Sequence, residues 1–318
     1  MSFPDRVTIR EVGPREGFQF EKAVIPTDIK VELIEALAQT GVTDIEVASF
    51  VRPDVVPQMA DAEALADRLQ MHEGVTYTGT YLNLRGMQRA SQTGKLRVKH
   101  GLTISASEAF SIRNQRANHE QAYVELSKRA DVFSEWGVSA VTLGVAAAFG
   151  CNFEGDIQLS SVLGWIRRLE ELALSKGLGV EEIRLLDTMG WANPRQVAES
   201  VDAIRDRWPE LAISLHLHDT RGLGLANAYA ALSLGVDDFD TAVGGLGGCP
   251  FAGHQGAAGN IATEDFVLLC QEMGIETGVD LDAMIECALM AETIVGHPLP
   301  GKVKSGGNLG SYRQRSDL

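Results

Sequence analysis

The sequence predicts an α/β protein, a (β/α)8 barrel of the TIM type with an extra C-terminal helix. Eight short runs rich in β-branched residues alternate with longer amphipathic segments, which is typical of βα units around a parallel sheet. No low-complexity tract or linker rich in Pro, Gly or Ser interrupts them. An open doubly wound sheet usually carries Gly-x-Gly-x-x-Gly after its first strand, whereas here that turn reads Gly13-Pro-Arg-Glu-Gly17. These observations favour a closed barrel.

The eight predicted strands are spread along the whole chain. In the first half they cover residues 7–13, 44–50, 75–82 and 99–106. In the second half they cover residues 140–148, 183–188, 213–219 and 239–244. Because barrel enzymes carry their chemistry at the carboxyl ends of the strands, the residues at these ends are the first candidates for a functional site.

The segments between the strands have the apolar spacing of amphipathic helices, as in residues 28–39, which Gly41 ends. Two further helices are predicted after the eighth strand, a closing helix over 263–274 and the extra helix over 281–295. Residues 1–300 should form a single catalytic barrel domain with a C-terminal helical addition, since such barrels often reach about 250 residues or more. Residues 301–318 are polar and glycine-rich, and we expect this tail to be mobile or to form a lid.

The 318-residue chain is strongly acidic, with 28 Lys and Arg against 43 Asp and Glu and a formal net charge of −15. This balance argues against nucleic acid or an anionic membrane as the main partner. The first residues, MSFPDRVTIR, carry no apolar signal core, and no apolar run approaches the length of a membrane span. We therefore expect a cytoplasmic protein. The four cysteines show no Cys-x-x-Cys spacing, so neither a zinc knuckle nor a disulfide framework is predicted.

The seventh strand contains the sharpest local signal, His216-Leu-His218. Residues two apart on a strand point to the same face, and two imidazoles at the barrel mouth suit a divalent metal. A chance pair of buried histidines is the alternative. With no thiolate pair in reach, oxygen ligands favour six-coordinate Mg²⁺ or Mn²⁺ over structural zinc. Glu16 and Asn260 are the oxygen donors that we nominate, although a solvated loop acid is the alternative for Glu16.

Four more residues near strand ends are candidates for catalysis. Arg15, beside Glu16, is either one half of an ion pair or the stabiliser of an enolate or oxyanion. Cys249 lies in a run of glycines, where a thiol can act as an acid or base; a buried structural cysteine is the alternative. Glu46 lies in the second strand, and Asp187 ends the sixth.

Five separated motifs follow one another along the chain: EVGPREGFQFEK, DIEVASFVRPDVVPQMADA, TISASEAF, LHLHDTRGLGLANA and VGGLGGCPFAGHQGAAGNIATED. In this order, over residues 7–295, they resemble the hydroxymethylglutaryl-CoA lyases, within the wider group of metal-dependent barrel lyases and Claisen-type synthases. The resemblance implies a retro-Claisen lyase that cleaves a 3-hydroxy-3-methyl acyl-CoA, hydroxymethylglutaryl-CoA or a close relative. The products would be acetyl-CoA and a keto acid such as acetoacetate, with Mg²⁺ or Mn²⁺ as the cofactor.

The resemblance also implies roles for the residues chosen from the strand ends. The metal ligands would be Glu16, His216, His218 and Asn260. Arg15 would stabilise the enolate, and Cys249 would supply the proton that converts the enolate into acetyl-CoA. Asp187 or a metal-linked group would remove the hydroxyl proton, and Glu46 would order the surrounding network.

Two departures from the family pattern bear on the substrate. The family has Asp where this chain has Glu16, which is one methylene longer, and the loop from Cys249 to Asn260 is longer than usual and contains His254. His254 is either a solvated loop residue or a contact to substrate or metal. A relative acting on citramalyl-CoA or on a longer 3-hydroxy-3-methyl acyl-CoA would fit the same residues. The competing classes are a condensing synthase of the isopropylmalate kind and a barrel that retains the site only as a binding module.

The expected partner is an acyl-CoA substrate, with no nucleic acid and no membrane. Because CoA is polyanionic and the chain is acidic, its phosphates should either meet a local basic patch or remain largely in solvent. The candidates for such a patch are Arg52, Arg85, Lys99 and Arg113. The resemblance makes a homo-oligomer the expected assembly.

Overall fold

The computed structural model describes residues 3–248 and 258–313. The strands are β1 (Thr8–Glu11), β2 (Asp44–Ser49), β3 (Thr76–Thr80), β4 (Arg97–Val98), β5 (Gly101–Ser105), β6 (Ala140–Ala146), β7 (Gly179–Leu186), β8 (Ala212–His216) and β9 (Asp238–Thr241). The helices are α1 (Gly13–Phe20), α2 (Thr27–Ala38), α3 (Ala62–Arg68), α4 (Leu84–Gln92), α5 (Glu108–Gln115), α6 (His119–Glu135), α7 (Leu159–Ser175), α8 (Pro194–Arg207), α9 (Gly224–Ser233), α10 (Thr263–Glu272), α11 (Leu281–Val295), α12 (Val303–Gly306) and α13 (Gly310–Arg313). None of these described helices is both long and apolar enough to cross a membrane.

The strands form one parallel sheet in the order β4-β3-β2-β1-β9-β8-β7-β6-β5. Lys99 and His100 separate β4 from β5, so the two ends of the sheet meet at one point of the chain and the sheet curls into a barrel. The predicted (β/α)8 barrel is confirmed, and all eight predicted strands are found. The additional strand β4 arises because the chain leaves the sheet at Lys99 and His100, the first two residues of the predicted fourth strand, which is therefore found as β5 from Gly101.

Side chains satisfy backbone groups at this break. The hydroxyl of Tyr81 donates a hydrogen bond to the carbonyl of Lys99. The guanidinium of Arg129 donates to the carbonyls of Leu82, at 2.7 Å, and Gly101, at 3.4 Å. Buried backbone carbonyls need such partners when no neighbouring strand supplies them, so the interruption between β4 and β5 is a built feature of the barrel.

Local signals in the sequence set the helix boundaries. Asn193 and Gln196 form a capping box at the start of α8, in which each side chain accepts a hydrogen bond from the other residue's backbone N–H. Gly41, after α2, has a φ of 93°, which confirms the left-handed helix end predicted for it. A Cβ at this position would lie 2.1 Å from the carbonyl oxygen of Gly278, so the close approach of the two chain segments also requires glycine.

The two C-terminal helices, α10 and α11, are found where the sequence predicts them. α11 packs against α2, α10 and the turn at residues 243–245. After α11, the backbone N–H groups of Lys302 and Val303 donate to the Asp265 carboxylate on α10, at 2.9 and 2.7 Å. The first residues after position 300 therefore lie against α10. Residues 314–318 lie outside the described part of the chain, and the division at residue 300 stays a prediction.

The barrel interior contains a cluster of charged residues toward the amino ends of the strands. Arg10 on β1 lies 3.0 Å from the Glu182 carboxylate on β7 and 2.6 Å from the Asp238 carboxylate on β9. We call Arg10, Glu182 and Asp238 the lower ion cluster. The hydroxyl of Ser214 on β8 also donates to Glu182, so the cluster links four neighbouring strands.

Candidate metal and catalytic site

A tight junction after β1 brings two of the candidate residues to the barrel mouth. β1 ends at Glu11, and α1 begins at Gly13 with Pro14 in its first turn, where the missing N–H of proline costs no hydrogen bond. Arg15 and Glu16 follow in the first turn of α1. The alternative interpretation of Glu16 as a solvated loop acid assumed a loop here, whereas the chain turns directly into a helix that carries both residues.

Glu16 and the two histidines bring three potential metal-binding atoms together. Glu16 Oε1 lies 3.6 Å from His216 Nε2 and 3.3 Å from His218 Nε2, and the two Nε2 atoms are 3.0 Å apart. Both histidines are buried. Burial opposes ionisation of Glu16, but His216 and Arg15 beside it hold the pKa of its carboxyl well below the usual range. Glu16 is therefore an anionic group facing two imidazoles, not a solvated loop acid.

Asn260 completes this group from the other side. Its backbone forms a β-bridge with His218, and its Nδ2 donates to the carbonyl of Leu246 at 3.1 Å. Its Oδ1 is buried without a hydrogen-bond partner in the described part of the chain. A Cβ at Gly247 would lie 2.7 Å from Asn260 Nδ2 and 3.2 Å from Glu16 Cγ, so the glycine lets the backbone approach closely. We call Glu16, His216, His218 and Asn260 the metal cluster.

The donor set of the metal cluster fits a divalent cation. It offers one carboxylate, two imidazoles and an amide oxygen that lacks a partner among residues 3–248 and 258–313. Two ring nitrogens at hydrogen-bond distance can share at most one proton between them, and a buried acceptor without a partner is costly. An ion among these atoms would satisfy both, and a mixed oxygen and nitrogen set without thiolates suits Mg²⁺ or Mn²⁺.

Arg15 lies at the edge of the metal cluster and is held by two carboxylates. Its Nε donates to Glu46 Oε1, and its Nη2 lies 3.1 Å from Glu16 Oε2. Burial alone would raise the pKa of Glu46, but the charges of Arg15, Lys99 and Arg184 lower it to about 2. Glu46 is therefore a fixed anion on β2 that orients the guanidinium. The ion pair proposed for Arg15 exists, and it places the cation beside the donor atoms.

Asp187 directly follows β7 and has one oxygen free. Its Oδ1 accepts from the backbone N–H groups of Trp191, at 2.7 Å, and Ala192, at 3.1 Å. Its Oδ2 is buried and has no hydrogen-bond partner among the described residues. Burial raises the pKa of this carboxyl, against the opposing effects of His218 and the two N–H groups. A rigidly held carboxyl with one unused oxygen suits a proton acceptor.

The cysteine predictions are resolved only in part. Cys249 and His254 lie outside the described residues, so the structure does not place them. Cys151, Cys270 and Cys287 are buried free cysteines, and burial raises the thiol pKa of Cys270 and Cys287 to about 12. A thiol with so high a pKa is a poor acid or nucleophile.

The four basic residues considered for CoA phosphates lie in different surroundings. Lys99 Nζ lies 3.5 Å from Asp44 Oδ1 and 3.4 Å from Glu46 Oε2, so its charge is already neutralised. The remaining three are Arg52, which pairs with Asp54, Arg113, which lies 4.2 Å from the Phe153 ring centroid, and Arg85, which is exposed on α4.

Asp240 is a buried neighbour of the metal cluster that the sequence reasoning missed. Its Oδ2 lies 2.8 Å from His216 Nδ1, and the guanidinium of Arg184 contacts the same oxygen. The signal was present as an acidic residue in the predicted eighth strand. Without the register between β8 and β9, however, nothing distinguished this acid from the others on the strands.

Comparison with known proteins gives a family for the whole barrel. Residues 6–290 match the model of the HMGL-like family. A hydroxymethylglutaryl-CoA lyase from Bacillus subtilis is 37% identical over 303 residues, which cover 95% of this chain and 97% of that protein. An (R)-citramalyl-CoA lyase from Chloroflexus aurantiacus is 40% identical over 316 residues, which cover 95% of each chain.

A solved structure gives the same result for the fold. The structure of an HMG-CoA lyase from Acinetobacter baumannii, in complex with coenzyme A and 3-methylmalate, matches with a TM-score of 0.85 and 38% sequence identity. The match covers 100% of this chain and 98% of that one. Sequence and architecture therefore agree over the entire length of the barrel.

Proposed function

The chain belongs to the HMGL-like family, and from this premise we propose that it cleaves hydroxymethylglutaryl-CoA into acetyl-CoA and acetoacetate. The reaction is a retro-Claisen cleavage that depends on a divalent metal. The observation that carries the proposal is the metal cluster, in which Glu16 and two imidazoles converge. Asn260, whose backbone bridges His218, adds an Oδ1 without a partner among the described residues. Its place at the carboxyl ends of the barrel strands is where enzymes of this fold carry their chemistry.

Glu16, His216, His218 and Asn260 would hold the metal, either Mg²⁺ or Mn²⁺. When bound, the ion supplies Lewis acidity, which lowers the pKa of the substrate's tertiary hydroxyl. The protein supplies an anionic carboxylate and two buried imidazoles at fixed positions. Holding these donors before the substrate arrives reduces the reorganisation that binding requires.

Asp187 removes the hydroxyl proton of the substrate. Its Oδ1 is held by two backbone N–H groups, so its free Oδ2 keeps one position. As this proton leaves, the bond between the carbinol carbon and the methylene next to the thioester breaks. The carbinol oxygen becomes the ketone of acetoacetate, and the electron pair of the broken bond forms the enolate of acetyl-CoA.

Arg15 stabilises the negative charge of that enolate. Its guanidinium is oriented by Glu46 on one side and Glu16 on the other, so the cation is preorganised where charge develops. Cys249 donates the proton that converts the enolate carbon into the methyl group of acetyl-CoA. This role rests on the sequence, because Cys249 is outside the described residues.

Citramalyl-CoA is the second candidate substrate. The (R)-citramalyl-CoA lyase is 40% identical over nearly the whole chain, and the same bond cleavage on that substrate yields acetyl-CoA and a 2-keto acid. Glu16, one methylene longer than the family's usual Asp, and the long loop between Cys249 and Asn260 support this alternative. Glu16 lies in the metal cluster, beside which the acyl group would bind.

Three further expectations accompany the lyase proposal. The substrate carries CoA, the chain assembles as a homo-oligomer and it works in the cytoplasm. The acidic net charge of −15 supports the view that CoA phosphates meet a few local cations and not a broad basic surface.

The experiment that tests the proposal measures acetyl-CoA release from hydroxymethylglutaryl-CoA, citramalyl-CoA and a longer 3-hydroxy-3-methyl homologue. Each assay is run with and without Mg²⁺ or Mn²⁺, with Cys249→Ala as the control variant. Metal-dependent cleavage of hydroxymethylglutaryl-CoA supports the named activity. If only citramalyl-CoA or the longer homologue is cleaved, the proposed mechanism stands and that compound becomes the proposed substrate. If the protein condenses acetyl-CoA with a 2-keto acid and cleaves none of the three compounds, the proposed activity is that of a synthase and not of a lyase.

A further inference from the structure

The pairing of β8 with β9 places an acid directly beside one histidine of the metal cluster. His216 on β8 is the register partner of Asp240 on β9, and both side chains are buried. The His216 Nδ1 atom lies 2.8 Å from Asp240 Oδ2. His218 has no such contact, because its Nδ1 is buried without a hydrogen-bond partner in the described part of the chain.

This contact determines which ring nitrogen of His216 is available. A carboxylate only accepts hydrogen bonds, so Nδ1 must carry the proton that it donates to Asp240. The lone pair of neutral His216 is then on Nε2, the atom 3.0 Å from His218 Nε2 and 3.6 Å from Glu16 Oε1. The nitrogen that faces the metal cluster is therefore the one that can bind a cation.

A second residue holds the carboxylate in place. Arg184 on β7 contacts Asp240 Oδ2, the same oxygen that accepts from His216. Ser214 on β8 is the register partner of Arg184 on β7 and of Asp238 on β9, so it lies between them in the sheet. Because a serine side chain is short, the arginine can extend across β8 to reach Asp240 on the far strand.

We propose that Asp240 is a positioning residue for the metal cluster and that Arg184 fixes Asp240 for this task. Asp240 holds the ring of His216 in one orientation and in the tautomer that leaves Nε2 free for the ion. The inference rests on the proposed function, since it assumes that His216 binds a metal. Partners of metal-bound histidines typically change metal affinity by about 10–100-fold when they are removed.

Asp238 provides a matched control on the same strand. It lies two residues before Asp240 and pairs with Arg10 at 2.6 Å. Its side chain is 20% exposed, against 1% for Asp240. No contact joins it to His216 among the described residues. Asp238→Asn therefore removes a partly buried charge from β9 without touching the metal cluster, whereas Asp240→Asn changes the group beside His216.

The test measures Mn²⁺ binding by electron paramagnetic resonance on metal-stripped full-length protein, without substrate. Asp240→Ala should weaken Mn²⁺ binding about 10–100-fold. Asp240→Asn should recover part of the affinity, because its amide oxygen still accepts from Nδ1. Arg184→Met should show a smaller loss, and Asp238→Asn should bind Mn²⁺ as the wild type does. Thermal unfolding in EDTA reports separately whether each variant is folded.

The outcomes separate this inference from the proposed function. If Asp240→Asn and Asp240→Ala both bind Mn²⁺ as tightly as the wild type, the positioning role is overturned and the lyase proposal stands. Equal losses in Asp240→Asn and Asp238→Asn also overturn it, since they indicate a general effect of buried charge. If the wild type binds neither Mn²⁺ nor Mg²⁺, the metal cluster itself is wrong and the inference fails with it.

Discussion

Two polar clusters inside the same barrel differ in how their charged and polar groups are paired. In the lower ion cluster, Arg10 meets the carboxylates of Glu182 and Asp238 at 3.0 and 2.6 Å. The hydroxyl of Ser214 also donates to Glu182. Each carboxylate of this cluster therefore has a cation within ion-pair distance, although Asp238 Oδ1 is buried without a hydrogen-bond partner among the described residues.

The metal cluster, nearer to the carboxyl ends of the strands, is left incomplete. Two imidazole nitrogens face each other at 3.0 Å, and Asn260 Oδ1 is buried without a partner in the described part of the chain. Unpartnered buried groups are costly, so their concentration at one place indicates a group that the protein binds. Both clusters contain a buried oxygen without a partner among the described residues. They differ because Arg10 joins the carboxylates of the lower ion cluster, whereas two ring nitrogens of the metal cluster face each other with no cationic side chain of the described residues between them.

The largest effect is expected from His218→Ala, which removes a donor from the metal cluster. Acetyl-CoA release from hydroxymethylglutaryl-CoA should fall about 10⁴-fold or more, because several kcal/mol of charge stabilisation are lost. A coupled acetyl-CoA assay, with Mn²⁺ binding followed in parallel, measures the effect. Turnover within about tenfold of the wild type would place the chemistry outside this cluster.

Arg10→Met is the corresponding change in the lower ion cluster and should act on stability alone. It leaves Glu182 and Asp238 enclosed without their cation, which should lower the free energy of unfolding by about 3–5 kcal/mol. Urea unfolding measures this loss. The folded variant should bind Mn²⁺ like the wild type; unchanged stability with weakened Mn²⁺ binding would remove the distinction between the two clusters.

Arg15→Met tests the boundary of the metal cluster. Arg15 contacts Glu16 through Oε2, whereas Oε1 faces the histidines, so Mn²⁺ affinity should change little. Loss of the cation beside the enolate should lower kcat by about 10²–10³-fold. Steady-state kinetics at saturating Mn²⁺ measure this loss, with Arg15→Lys as the charge-preserving control. A variant that loses metal binding and keeps kcat would assign Arg15 to the metal and not to the enolate.

Glu264 is a third buried acid in the same barrel, and burial favours its protonated form. Its Oε2 accepts from the backbone N–H of Gly244 at 2.9 Å, and burial raises its pKa from 4.5 to about 8. Between these values the folded carboxyl keeps its proton while the unfolded one releases it, so the free energy of unfolding falls as pH rises. From about pH 5.5 to 7, the wild type should lose about 2 kcal/mol relative to Glu264→Gln.

Urea unfolding of both proteins at the two pH values measures this difference. The same pH dependence in the wild type and in Glu264→Gln would show that the carboxyl at this position is already ionised in the folded protein.

The sequence predicts the barrel and most of the site because both depend on local patterns. The alternation of β-branched runs with amphipathic segments locates the eight strands. Because the strands are parallel, the residues at their carboxyl ends all lie at the same end of the barrel. Glu16, His216 and His218 converge because each lies at or just beyond a strand end. Asn260 is brought to them by its backbone bridge with His218, and its role as an oxygen donor stays a prediction.

Features that depend on register or on long side chains are not visible in the sequence. Asp240 contacts His216 only because β8 and β9 pair at that position, and Arg184 reaches it only because Ser214 is small. The additional strand β4 also escaped prediction, since the polar Lys99 and His100 give no sign that the ladder is interrupted there. Lys99 seemed suited to a surface phosphate, but the fold pairs it with Asp44 and Glu46.

The most direct test of the account is a titration of the metal-stripped protein with Mn²⁺. Bound Mn²⁺ is measured by electron paramagnetic resonance, and acetyl-CoA release from hydroxymethylglutaryl-CoA is measured on the same samples. The account predicts no cleavage without the ion and activity that rises in proportion to the occupancy of one site per chain. Full cleavage by protein that holds no divalent ion would contradict it.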